Sequence, residues 1–330
     1  MQHPYLMFLG DVPDQLGAKT AQGIKDWRPD WCIGQLRLEG CQADLKLEDI
    51  SLQEAINRGA KTMVIGIVNS GGFLPEHWVS QIVEAMELGM DIASGLHIRL
   101  ADVPEIKEAA AKFGRELFDV RHPKGSLPTG KGTPRTGKRL LAVGTDCSVG
   151  KMYTTLAVEK EMKARGMNAD FRATGQTGIF IAGDGISIDA VVADFISGAV
   201  EVLSPENTED HWDIIEGQGS LFHPSFAGVS IGLIHGAQAD ALILCHEPTR
   251  QHMRGLPHQP LPDIQECMDM NLAAAKLTNP NAKFVGISIN TSGLSVEEGD
   301  KMLANFEAKY GLPTVDAFRT GVAKIVDNLD

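Results

Sequence analysis

The run LLAVGTDCSVGKMYTTLAVEK, residues 140 to 160, constrains this chain more than any other segment. An apolar strand enters a glycine-rich turn, and the turn opens a helix. Gly144 and Gly150 let successive backbone amides curl inward, the first N–H groups of the helix add positive potential, and Lys151 supplies a mobile charge. We therefore read Gly144, Thr145, Asp146, Cys147, Ser148, Val149, Gly150, Lys151, Met152 and Tyr153 as a phosphate-binding loop that holds a cofactor. Two details depart from the usual pattern. Five residues rather than four separate the glycines, and Met152 stands where a Ser or Thr would ligate magnesium. The loop is expected to hold phosphates without metal-assisted phosphoryl transfer; Thr154 and Thr155, one turn on, are candidates for the missing hydroxyl.

A strand feeding such a loop belongs to a parallel α/β sheet, and the rest of the chain repeats that alternation. The stretch HPKGSLPTGKGTPRTGK, residues 122 to 138, is rich in Gly, Pro and Lys and reads as an exposed connection, which divides the chain into domains 1–130 and 131–330. Before it, YLMFL, TMVIGIV and LFDV read as strands among helices near 50–58, 75–89 and 103–113. After it come RLLAVG, NADFRAT, WDIIEG, DALILC and KFVGISIN, with helices near 188–202 and 262–277. The expected fold is a doubly wound parallel sheet preceded by a smaller α/β domain. Residues 68–78, VNSGGFLPEHW, end a strand on glycines, and read equally as a ligand loop or a tight turn.

The 43 acidic and 30 basic residues give a net charge of −13, which argues against nucleic acid and anionic membrane as partners. Five cysteines without CxxC spacing indicate neither a disulfide framework nor a metal site. The opening MQHPYLMFLGD has no basic start followed by a long apolar run, so a cytoplasmic location is expected.

Polar residues at strand ends supply the chemistry. Glu216 closes the strand WDIIEG beside Gly217 and Gly219, where parallel strands end together near the phosphate loop. His223, in the following loop, has an imidazole suited to proton transfer near neutral pH. Asp184, Asp189 and Asp194 gather ahead of or on a helix, as catalytic groups or as helix caps. Gln176 and Thr177 read as substrate contacts. In CHEPTRQHMRGLPHQPLP, residues 245–262, Arg250 or Arg254 could grip a carboxylate; the alternative is a solvated charged loop.

With these residues in view, GTDCSVGK resembles the loop of dethiobiotin synthetase, and EGQG at 216–219 resembles that enzyme's second glycine motif. The order GTDCSVGKMYTT, RATGQTGI, EGQGSLFHPSF and HEPTR resembles, over nearly the whole chain, a two-domain P-loop family whose DgcN type comprises D-amino-acid N-acetyltransferases. The resemblance implies a P-loop NTPase-like sheet after a Rossmann-like domain, and transfer of acetyl from acetyl-CoA to the amine of D-glutamate or another D-amino acid. Catalysis is then expected from Lys151 and the loop amides on the oxyanion. The base is expected to be Glu216 or one of Asp184, Asp189 and Asp194, with His223 behind them. Arg250 is the expected substrate grip, with Arg254, Arg172 or Lys19 as substitutes. The alternative is a ligase or kinase dependent on ATP and magnesium; a third reading is a non-catalytic nucleotide-responsive protein. A homo-oligomer, dimer or tetramer, is expected of such a two-domain α/β enzyme.

Overall fold

A computed structural model describes residues 1–68, 71–123 and 125–329. Packing divides the chain into two units, Met1–Lys124 with Gln176–Ser187, and Gly125–Gly175 with Ile188–Asp330. The first is built on strands β1 (Tyr5–Gly10), β2 (Cys32–Arg37), β3 (Thr62–Ile65), β4 (Asp91–Ser94) and β5 (Leu117–Asp119). They lie in the order β2-β1-β3-β4-β5, all parallel. Central β1, YLMFLG, is buried along its whole length, as a strand covered on both faces must be. Helices α1 (Lys19–Trp27), α2 (Leu52–Asn57), α3 (Val79–Glu87) and α4 (Pro104–Phe113) join the strands. The expected strands are β1, β3 and β5, and the expected helices are α2, α3 and α4. Polar β2 and four-residue β4 escape the hydrophobic pattern. In the loop 68–78, Asn69 and Ser70 lie outside the described residues. Trp78 ends that loop by packing on Gly10, where a Cβ would lie 2.2 Å from the indole.

The second unit contains β6 (Lys138–Gly144), α5 (Lys151–Ala164) and β7 (Ala169–Arg172). Helix α6 (Gln176–Ala182) follows β7 in the chain but packs with the first unit, against α1. The second unit resumes with α7 (Ile196–Leu203), β8 (Trp212–Ile215), α8 (Ala227–Ala237), β9 (Ala241–His246) and α9 (Ile264–Lys276). It closes with β10 (Lys283–Ile289), α10 (Val296–Tyr310), β11 (Thr314–Val315) and α11 (Ala323–Val326). The sheet order is β11-β10-β9-β6-β8-β7, all parallel, so β6 sits in the interior and delivers its loop to the middle of the carboxyl edge. Leu140, Ala142, Val158, Met162, Ile214, Ile243, Val285 and Ile325 form the core between sheet and helices. This is a P-loop NTPase-like doubly wound sheet, and the first unit is a Rossmann-like layer. The helix expected over 188–202 is shorter than its pattern: two 3₁₀ turns precede α7, because Val192 is extended (φ −59, ψ 136). Among the described residues no helix is long and apolar enough to cross a membrane.

Residues 125–138 are largely exposed, as their composition predicts, but they are docked on the second unit; Lys124, at the start of that connection, lies outside the described residues. The amides of Lys131 and Gly132 donate to the Glu201 carboxylate at 2.8–3.0 Å. Gly198 on α7 has no room for a Cβ, which would lie 2.0 Å from the Pro128 carbonyl oxygen. Arg135 donates to the carbonyls of Glu201, Ser204 and Gly236, at the ends of α7 and α8. It thereby caps two helices with one cation. Burial lowers its pKa to about 10, and Glu201 and Asp213 oppose that shift. Arg135→Ala should remove roughly 2–4 kcal/mol of stability in urea denaturation, since the carbonyls lose charged donors in a site shielded from water. Arg135→Lys should recover only part of it, because one ammonium cannot span both helix ends.

Candidate active site

Gly144 ends β6 between β8 and β9, so the loop leaves at the carboxyl edge where open α/β sheets hold ligands. A Cβ there would lie 2.8 Å from Val149 Cγ2 and 3.1 Å from Lys151 Nζ, so glycine is what lets the loop fold back over its own strand. Ser148 (φ 54) and Gly150 (φ 99) take the left-handed conformation and turn the chain into α5. Gly150 at the N-cap offers no side chain to the first turn of α5, which leaves the helix dipole open to an anion. Lys151 Nζ donates to the Asp146 carbonyl at 2.8 Å. Its burial pulls the ammonium pKa down, against the opposing effect of Cys147, Cys245, Asp146 and Cys267.

Thr154 and Thr155 do not supply the hydroxyl missing at Met152. Thr154 Oγ1 lies 3.0 Å from the Gly150 carbonyl oxygen and 2.8 Å from the Ser288 hydroxyl. Thr155 Oγ1 lies 3.0 Å from the carbonyl of Lys151 and 2.9 Å from that of Met152. Both are buried against the helix and sheet.

Asp146 is fully buried. Its Oδ1 accepts the Cys147 N–H at 2.6 Å, and its Oδ2 accepts Arg250 Nη1 at 2.6 Å and the Arg254 N–H at 2.7 Å. Arg250 also donates to the carbonyls of Cys147 (2.7 Å) and Ser148 (3.3 Å) and to Glu247 (3.2 Å). Its guanidinium is thus committed to bracing the loop. Arg254 bonds the Ser148 hydroxyl, and Arg172 pairs with buried Asp213 at 2.7 Å. From the next loop Ser220 donates to the Thr145 carbonyl at 3.1 Å, and Thr145 Oγ1 lies 3.0 Å from Nδ1 of His246. Burial lowers that imidazole to about 4, a shift that Glu247 opposes and Arg250 reinforces.

Glu216 follows β8 and is 4% exposed. Its Oε2 accepts the N–H groups of Thr174 (2.9 Å) and Gly175 (3.0 Å). Gly217 brings this segment against the phosphate loop: a Cβ there would lie 1.7 Å from the Ala142 carbonyl oxygen and 2.9 Å from Lys151 Cδ. Burial pushes the Glu216 carboxyl up to about 7; the two amides and Lys151 oppose the rise, and Asp189 adds to it. A carboxyl titrating at the working pH is matched to proton transfer. The amides of Thr174 and Gly175 had no signal beyond standing in the RATGQTG motif.

The other expected groups are dispersed. His223 Nδ1 accepts the Ser225 N–H at 3.2 Å, so Nε2 carries the hydrogen and donates to the Arg254 carbonyl at 3.1 Å. Backbone groups thus hold both ring nitrogens. Asp146, Cys147 and His223 have ligand atoms within 4.8 Å of one another, but Asp146 and His223 are already bonded as described. Asp184 is exposed in the first unit and accepts its neighbour Gly185 N–H at 2.8 Å, while exposed Asp194 lies in a 3₁₀ turn of the second. Asp189, in the second unit, acts on Glu216 electrostatically. Gln176, Thr177 and Lys19 belong to the first unit. Thr177 Oγ1 lies 3.3 Å from Thr20 Oγ1. Gln176 Oε1 is buried without a hydrogen bond against Gly95, where a Cβ would lie 1.8 Å away.

Comparison with known proteins gives this geometry a family. Residues 36–123 match the Rossmann-like domain of unknown function DUF1611_N, and residues 128–326 match the P-loop domain DUF1611_C. A D-glutamate N-acetyltransferase of Tritonibacter scottomollicae is 54% identical over 329 residues, 100% of this chain and 99% of the relative. Another from Pseudoalteromonas sp is 54% identical over 326 residues, 99% of this chain and 98% of that one. The crystal structure of a DUF1611 family protein from Anabaena variabilis is 29% identical, with a TM-score of 0.88 over 99% of both chains. The chain belongs to the DUF1611 family and carries both its Rossmann-like and its P-loop domain.

Proposed function

We propose that this protein is a D-glutamate N-acetyltransferase that takes its acetyl group from acetyl-CoA and holds the donor's phosphates in the loop 144–153. The observation that carries the reaction and its acceptor is the 54% identity, along nearly all of both chains, to two enzymes of that name. The loop supports the donor. Coenzyme A presents a pyrophosphate and a ribose phosphate that must be held but not hydrolysed, which suits an uncapped helix start, Lys151, and a methionine in place of the metal hydroxyl. The thioester supplies an activated carbonyl. Glu216 takes one proton of the acceptor's ammonium, the freed amine attacks the thioester carbonyl, and as the C–N bond forms the C–S bond breaks; the departing thiolate takes up a proton from the attacking nitrogen. Arg250 acts by positioning the loop.

Acetyl transfer should proceed at full rate with excess chelator and no ATP, followed as release of the CoA thiol from acetyl-CoA and D-glutamate. Activity that appears only with ATP and magnesium would overturn the proposal. Lys151→Ala should weaken acetyl-CoA binding in calorimetry by roughly 1.5–3 kcal/mol, the value of a charge-assisted contact.

Glu216→Gln should lower kcat by about 10²–10⁴ while donor affinity is kept. A base works as the carboxylate, so wild-type kcat/KM should rise with pH through about 7, and the variant should lose that limb. Stability runs the other way. Between the carboxyl's ordinary 4.5 and its folded value of about 7, the folded state holds a proton that the unfolded state has released, so stability falls as pH rises through that window. Melting curves of Glu216→Gln should lack this decline; an unchanged pH dependence of both rate and melting would remove Glu216 from the role.

A further inference from the structure

In the P-loop unit, Tyr153 of the phosphate loop meets a second aromatic ring that has no part in the reading above. Phe318, in the loop after β11, is 73% exposed, and its ring centroid lies 6.0 Å from that of Tyr153 with the planes tilted by 59°. Tyr153 is the third residue of α5, the helix whose start closes the phosphate loop. A phenylalanine so exposed adds little to the core. Its loop is nevertheless rigidly built. Asp316 Oδ1 accepts the N–H groups of Phe318 and Arg319, both at 3.0 Å, and its Oδ2 accepts the Thr291 N–H at 2.9 Å. The Thr320 N–H donates to the Asp316 carbonyl at 2.8 Å, and Arg319 pairs with Asp300 at 2.8 Å. These bonds hold the Phe318 ring out in solvent.

We infer that Tyr153 and Phe318 form a stacking platform for the purine ring of a phosphate-bearing nucleotide, the adenine of coenzyme A in the reading above. The strands of this parallel sheet end on one edge, so the loop after β11 and the phosphate loop after β6 open on the same side. A nucleotide anchored by its phosphates at Gly150 and Lys151 carries its base only a ribose away, and Tyr153 stands on that same first helical turn. Aromatic faces recognise a base by its π surface and need no hydrogen-bond code. The inference rests on the donor's phosphates occupying the loop 144–153, and the test separates the two ideas.

The probes are acetyl-CoA, S-acetylpantetheine, which has the thioester arm without the nucleotide, and adenosine 3′,5′-bisphosphate, which approximates the nucleotide alone. Phe318→Ala should raise KM for acetyl-CoA roughly 5- to 100-fold with little change in kcat, the range expected for one lost base stack. It should leave kcat/KM for S-acetylpantetheine unchanged and weaken calorimetric binding of the bisphosphate by the same factor. Phe318→Trp should restore both. Equal losses with both donors, or unchanged binding of acetyl-CoA and bisphosphate, would overturn the platform. So would a Phe318→Ala change confined to molecular mass in light scattering, which would make the ring a contact between copies. Lys151→Ala serves as the separate control. If it weakens bisphosphate binding while Phe318→Ala does not, the platform alone fails; if only Phe318→Ala weakens it, the phosphate-loop reading fails and the stacking site stands.

Discussion

A single carboxylate without solvent contact holds the P-loop unit's edge together. Burying a charge is tolerated only where donors replace its water, and Asp146 is met by Cys147 N–H, Arg250 Nη1 and Arg254 N–H. Two of those donors belong to the segment after β9, so that segment and the phosphate loop share one conformation. The loop is pre-shaped before any anion arrives, and its glycines and left-handed Ser148 are held by partners outside the loop. Preorganisation of this kind lets backbone dipoles act on a ligand without being rearranged by it.

Burial acts on two opposite groups beside that loop. It draws the Lys151 ammonium down and pushes the Glu216 carboxyl up, so each is biased toward its neutral form, while Lys151 pulls the Glu216 carboxyl back. Thr174 and Gly175 keep the carboxylate form accessible by donating their N–H groups to one of its oxygens.

The legible part of this structure is the part written in apolar runs and glycines. YLMFL, RLLAVG, DALILC and KFVGISIN are buried strands, and GTDCSVGK folds as its spacing requires. Polar β2, short β4 and two-residue β11 carry too little periodicity to be seen. The position of Glu216 just past its strand was legible because parallel strands end together on one edge of the sheet. Arg250 was legible as a cation but not as a brace, because its partner Asp146 lies 104 positions earlier. The surroundings of His223 were hidden for a related reason: nothing in a histidine's neighbours announces that both ring nitrogens will be held by backbone.

Helix α6 has a consequence for biosynthesis. It lies between β7 and β8 in the chain yet completes the packing of the first unit, so neither unit is a contiguous stretch of polypeptide. Domains usually mature in order as the chain leaves the ribosome. Here the amino-terminal layer must wait for residue 187 to emerge, with β6, α5 and β7 already synthesised, before α1 receives its last neighbour. The nascent chain thus carries two unfinished units at once, and the two halves of the chain are obliged to mature together.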